Sequence, residues 1–251
     1  MAITLDQIKS LRDRTGISAT ACKKALEEAE GDESKAIELL RKKGAAKAAS
    51  RSDRETEHGV VSVSKGAGKI AIVAIGCETD FVSKNEDFQA KIDELAVKVL
   101  AEGQDADLSK EIDDLNIQMG ERIVIVGQRI LEGATIGSYI HLNKKIGVAI
   151  AIDGSSEEVA NDISMHIAAM NPTTLSPSDI DDAVVAKEKE IWAEQLAGKP
   201  AEIMGKIMEG KERKFREESA LLSQPFVKNP DKRIEELLGG ANVVEFIRYA
   251  V

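Results

Sequence analysis

The residues best placed to do chemistry in this chain are Cys77-Glu78-Thr79-Asp80-Phe81-Val82, a thiol, two carboxylates and a hydroxyl beside an aromatic ring. Covalent catalysis does not follow from them. The histidines are His58, His141 and His166, widely spaced and without companions at metal-ligand spacing, so neither a Cys/His pair nor a metal set is assembled. Lys65-Gly66-Ala67-Gly68-Lys69 has the look of a phosphate loop. Such a loop needs Gly-x-x-x-x-Gly-Lys-Ser/Thr opening a helix, whereas here Ile70 follows and a strand continues, which makes it a hairpin turn. What remains is contact chemistry: an aromatic ring and an acid side by side, one able to insert into a pocket and the other to repel or attract charge. The alternative is that Phe81 tucks back under its turn and Asp80 merely caps a helix.

The elements around this group must place it on a strand-to-helix turn, where side chains point outward and carry function. Ile70 to Ile75 contains three isoleucines and a valine in six residues and reads as a buried strand. Ser83 and Glu86 have capping-box spacing, so a helix is expected from about residue 84, with Phe88, Ile92, Leu95 and Val99 on one face.

The same pattern occurs twice. Strand 59–64, a tight turn and strand 69–76 lead to helix 84–101; strand 134–142, an Asn143-Lys144-Lys145 turn and strand 146–152 lead to helix 156–169. Lys69-Ile70-Ala71-Ile72-Val73-Ala74-Ile75 echoes the run from Lys145 to Ile152, an internal repeat of a hairpin-plus-helix unit. Helix 109–119 and the apolar strand Ile123 to Ile130 lie between the two units. The fold class expected is α+β, two small antiparallel sheets backed by helices.

Around these units the chain divides as follows. Residues 1–50 form three short helices, opened by a Thr4/Gln7 capping box and punctuated by Gly16, Gly31 and Gly44, the last closing the third helix. From Ala45 to Glu57 there is no large apolar residue, and 51–57 is assigned as linker. With Arg41, Lys42 and Lys43 before it, this stretch carries Lys47, Arg51 and Arg54; a solvated tether is favoured over a nucleic-acid contact because no aromatics are interleaved for base stacking. Residues 58–132 are the first core unit and 133–177 begin the second. A helical hairpin spans 178–222, opened by Ser176-Pro177, broken at Gly198-Lys199-Pro200, and lined by Ile180, Val184, Ile191 and Trp192, then Ile203, Ile207 and Phe215. Residues 223–251 close the second unit with a short helix and a strand from Val243 to Val251.

Composition sets limits on partners. The 251 residues carry 34 Lys and Arg against 44 Asp and Glu, a formal charge of −10, which opposes general nucleic-acid binding. Aromatics are only 3 %, so Ala, Ile, Leu and Val must fill the core. Cys22 and Cys77 are too far apart to suggest a disulfide framework, no apolar run has membrane-spanning length, and the amino terminus is acidic at once, so a cytoplasmic protein is expected.

The order of several motifs resembles the elongation factor Ts family. Leu11-Arg12-Asp13-Arg14-Thr15-Gly16, continuing to Cys22-Lys23-Lys24-Ala25-Leu26, is similar to its amino-terminal signature, and Cys77 to Lys84 to its second. Supporting matches are Gly137-Ser138-Tyr139 with His141, Met165 to Ala169, and Gln224-Pro225-Phe226-Val227. The resemblance implies a guanine-nucleotide exchange factor, not an enzyme, that needs no cofactor and whose partner is elongation factor Tu. It implies an ubiquitin-associated-like helical domain docking on Tu, where Arg12 and Lys23 are candidate contacts because both are charged residues within the matched signature. Thr79, Asp80, Phe81 and Val82 would intrude at the magnesium and phosphate region of Tu, and His141 would face another Tu domain. The hairpin 178–222 would be a coiled-coil protrusion; if the chain forms a homodimer, this hairpin or the open face of the second sheet is where pairing is expected. Some relatives continue past the closing strand into a helix that contacts Tu, and affinity from that helix is not expected here.

Overall fold

The computed structural model describes residues 3–196 and 200–251. Three helices come first: α1 (Leu5–Thr15), α2 (Ala19–Glu28) and α3 (Glu33–Ala49). Thr4 forms the expected capping box with Gln7, Ser18 and Asp32 cap the next two helices, and Gly16 ends α1 in the left-handed conformation. Leu11, Cys22, Leu26, Ala36 and Leu40 form a small core of their own. Gly44 does not close α3, which runs five residues further. A Cβ at Gly44 would lie 2.4 Å from Ile117, so glycine is there to let another helix approach. That helix is α6 (Ser109–Met119), whose Ile117 and Gln118 sit against Gly44 and Gly16. The helical unit is therefore seated on the body.

The body is α+β. Strands β1 (His58–Gly66), β2 (Lys69–Cys77) and β3 (Val124–Glu132) form one antiparallel sheet in that order. A second contains β4 (Thr135–Ile140), β5 (Ile146–Asp153) and β8 (Asn242–Ala250), again with the middle strand second. Helix α5 (Glu86–Glu102), with α6, covers the outer face of the first sheet, and α7 (Glu157–Met170) that of the second. The inner faces of the two sheets pack on each other: Val61, Ile70, Ile72, Ala74 and Leu131 meet Ala149 and Ala151. Both middle strands are thus covered on both sides, which is why each is written as a continuous apolar run and not as an alternation.

The sheet faces revise the repeat. The sequence echo aligns Ile70 with Ile146, but Ile70, Ile72 and Ala74 face inward as Gly147, Ala149 and Ala151 do. Ala71, Val73 and Ile75 face α5 as Val148, Ile150 and Ile152 face α7. The units superpose with an offset of 77, one more than the echo implies; a one-residue slip would turn every side chain to the wrong face. The bulges agree with this, falling between Ala74 and Ile75 and between Ala151 and Ile152. At Gly147 a Cβ would come within 2.4 Å of Val61, so the sheets touch there through backbone.

Between α7 and β8 the chain makes the hairpin α8 (Asp182–Gln195) and α9 (Ala201–Ser219). Ser176-Pro177 opens a 3₁₀ turn only; Asp181 caps α8. Gly198 and Lys199 of the expected break lie outside the described residues. The buried line of α8 is Val185 and Trp192, while Val184, Ile191 and Ile203 are exposed, contrary to the lining read from sequence. Trp192 packs edge-on against Phe215 at 5.8 Å, and Arg216 ties the base to Ile180 and Asp182. Past the hairpin come β6 (Pro225–Phe226), β7 (Asn229–Arg233) and α10 (Ile234–Leu238). Leu221 is buried in the second core, so a cut of the hairpin must spare it. Replacing 182–218 by a Gly/Ser link is expected to leave one cooperative thermal transition, checked by circular dichroism; loss of that transition would mean the hairpin packs as part of the body.

Candidate functional site

The chain leaves β2 at Cys77 and enters a single helical turn, α4 (Asp80–Ser83), before α5. Thr79 caps α4 and Asn85 caps α5, so neither Asp80 nor Ser83 has the capping role read for it. Ser83 instead donates through its hydroxyl to the Asp80 carbonyl at 3.1 Å, and Gln89 donates to the Ser83 carbonyl at 2.9 Å. Val82 is buried with Cys77, Val60 and Phe88 and anchors the turn from below. Phe81 faces the other way and is 82 % exposed, the opposite of a ring tucked under the turn. Asp80 lies beside it, paired with Lys84 at 2.7 Å. That hydrogen bond first, then the charge of Lys84, hold its carboxyl below the usual carboxylate range.

Two further carboxylates grip the turn. Glu121 accepts the Thr79 amide at 3.0 Å and also the Thr79 hydroxyl. Glu78 accepts the Arg122 amide at 2.6 Å and Arg54 at 2.8 Å, while Arg122 donates to the Arg54 carbonyl at 2.7 Å. Burial works to raise the Glu78 carboxyl, but Arg54 and the Arg122 amide outweigh it and hold the group low. The linker is therefore pinned to the body at Arg54, not a free tether.

Cys77 is buried under the turn, and its thiol is pushed up to about 12, by burial first and then by the Glu121 charge. A pKa raised by folding means stability is intact below the unfolded thiol's value and lost as pH climbs above it. Between about pH 8.5 and the folded value, the unfolded chain alone ionises, at up to about 1.4 kcal/mol per pH unit. Urea melts near pH 8 and near pH 10 (spanning the unfolded thiol's titration) are expected to show a smaller loss for Cys77→Ala than for the parent protein. Equal losses would exclude Cys77 as the cause.

The second unit brings its own turn to this place. Lys145, after β4, donates to His58 Nδ1 at 2.9 Å, and His58 pairs with Cys77 across β1 and β2. His141 opens the same turn, exposed and hydrogen-bonded to Tyr139 at 3.1 Å, and Leu142 next to it is 96 % exposed. Arg12 and Lys23 lie apart on α1 and α2, both exposed, Lys23 in a loose pair with Glu27. Among the described residues, no hydrogen bond or ion pair joins either to the Phe81 turn. His166 is buried between Gln224 and the Val227 amide and lowered by burial, which gives it a structural role.

The rest of the surface offers little catalytic chemistry. Four cations of the basic cluster, Arg41, Lys42, Lys43 and Arg54, are each paired with an acid of the chain. A cleft of about 810 Å³ between α3 and α6 is lined by residues such as Ala45, Lys110 and Asp113, without histidine or cysteine. Among the described residues, no cluster of three or more His, Cys, Asp and Glu could hold a metal, and no helix is long and apolar enough to cross a membrane. No pattern in the sequence indicates that Glu121, Arg54, His58 and Lys145 meet around this turn. Glu121 is 42 residues from the amide it holds, and no spacing rule connects them.

Comparison with known proteins bears on the same residues. The family model described as Elongation factor TS matches residues 78–251. The chain is similar to a protein of Hydrogenovibrio crunogenus and one of Hahella chejuensis, both named Elongation factor Ts, at 41 % identity. Each match covers 100 % of this chain and 92 % of the relative.

Proposed function

Because this chain belongs to the elongation factor Ts family of translation elongation factors, we propose that it binds elongation factor Tu carrying GDP and speeds release of the nucleotide, so that GTP can rebind. The observation that carries the reading is Phe81, a large apolar side chain held 82 % exposed on a turn fixed from several directions. Such a ring contributes little to its own fold and much to a partner's pocket. Asp80 beside it brings a negative charge towards the magnesium and phosphate region of Tu.

No bond is made or broken in this mechanism, and the chain acts as a binding protein rather than an enzyme, in the cytoplasm. Nucleotide on such a partner is held by magnesium and by backbone donors around the phosphates. A factor that distorts this region binds well only when nucleotide is held weakly, and by reciprocity nucleotide weakens the factor by the same ratio. Arg12 and Lys23 on the helical unit of residues 1–50, and His141 on the second unit, supply docking surface away from the intruding turn. Lys84 shares the charge of Asp80 in the free protein and must yield it if Asp80 is to act on the ion's surroundings.

The experiment is release of fluorescent GDP from purified Tu with and without this protein. Faster release in proportion to added protein is expected. Binding to Tu with an unchanged release rate would leave only a docking scaffold.

A further inference from the structure

The proposed mechanism sends Phe81 into a partner, so the turn bearing it must keep its shape under an opposing force. Four residues of helix cannot do this alone, since one helical turn fixes several dihedrals for very few hydrogen bonds. The constraint comes from two carboxylates that cross. Glu121 takes the amide of Thr79, and Glu78 takes the amide of Arg122, so residue pairs 78–79 and 121–122 are bonded in both directions. Sliding one segment past the other breaks both bonds together. Glu121 also accepts a hydrogen bond from the Thr79 hydroxyl, which leaves that oxygen's lone pairs for the Val82 amide, the bond that caps α4. Bonds to a charged acceptor are the stronger kind, and here the acceptors are half-buried. Arg54 closes the outer side of Glu78 and brings the linker from the helical unit into the same network.

We propose that Glu121 is a positioning residue for nucleotide exchange: through its crossed pairing with Glu78 it holds the Thr79–Phe81 turn in the shape that enters the partner. The inference rests on the exchange-factor reading above. Glu121 touches no partner atom in it and acts through Thr79.

The test uses the full chain, and measures fluorescent GDP release from Tu over a range of factor concentrations. Glu121→Ala is expected to lower the saturating rate about tenfold. The half-saturating concentration is expected to move less than about twofold, because the surfaces of Arg12, Lys23 and His141 are untouched. Glu121→Gln keeps the shape and one acceptor oxygen and is expected to recover part of the rate. In a Phe81→Ala background the same change should remove less than about a further twofold, since the ring to be positioned is gone. A saturating rate for Glu121→Ala equal to that of the parent would overturn the proposal. So would an equal loss with and without Phe81, which marks a general loosening of the fold. If Glu121→Ala does not melt cooperatively, Glu121→Gln decides by the same two comparisons. A parent protein that leaves GDP release unchanged would overturn the exchange-factor reading, and this role with it.

Discussion

Phe81→Ala is expected to slow stimulated GDP release about tenfold or more while leaving the melting temperature nearly unchanged. The ring is 82 % exposed, so its removal takes little apolar area out of the folded core. Seated in a partner's pocket the same ring is worth roughly 1.5–3 kcal/mol, against about 1.4 kcal/mol per decade of rate. Asp80→Ala should act in the same direction and more weakly, because Lys84 already offsets that charge. A Phe81→Ala protein that unfolds while its folded fraction exchanges at full rate would sink the intrusion mechanism.

Phe88→Ala is the mirror image. Seven residues on, Phe88 is 0 % exposed, among Val82, Cys77 and Ile92 beneath the same turn. Removing a fully buried phenyl ring typically costs about 3–5 kcal/mol, the transfer term plus the cavity it leaves. Chemical denaturation is expected to show that loss, with whatever remains folded still active in GDP release at low temperature. A loss under about 1 kcal/mol would mean the first core closes over the gap. Together the two variants separate the two phenylalanines by role: one holds the turn up and the other is what the turn presents.

How much of this was legible in the sequence follows from the range of each interaction. Helices, caps and strands are written locally, so Thr4 with Gln7, the run Ile70 to Ile75 and the duplicated hairpins could be read directly. The exposed ring of Phe81 was legible as one of two options, because a strand-to-helix turn constrains position but not side-chain direction. Gly44 misled because glycine ends helices and also admits close neighbours, and only α6 distinguishes the two. The grip of Glu121 on Thr79, the link from Lys145 to His58 and the packing of one sheet on the other join distant residues. Nothing in their local pattern announces them.

Gly147 set against Val61, with Ile70, Ile72 and Leu131 seated on Ala149 and Ala151, interlocks the two units. Close-packed interiors of this kind compress little. The Phe81 turn of one unit and the His141–Leu142 turn of the other are therefore like the two jaws of a caliper locked at one setting.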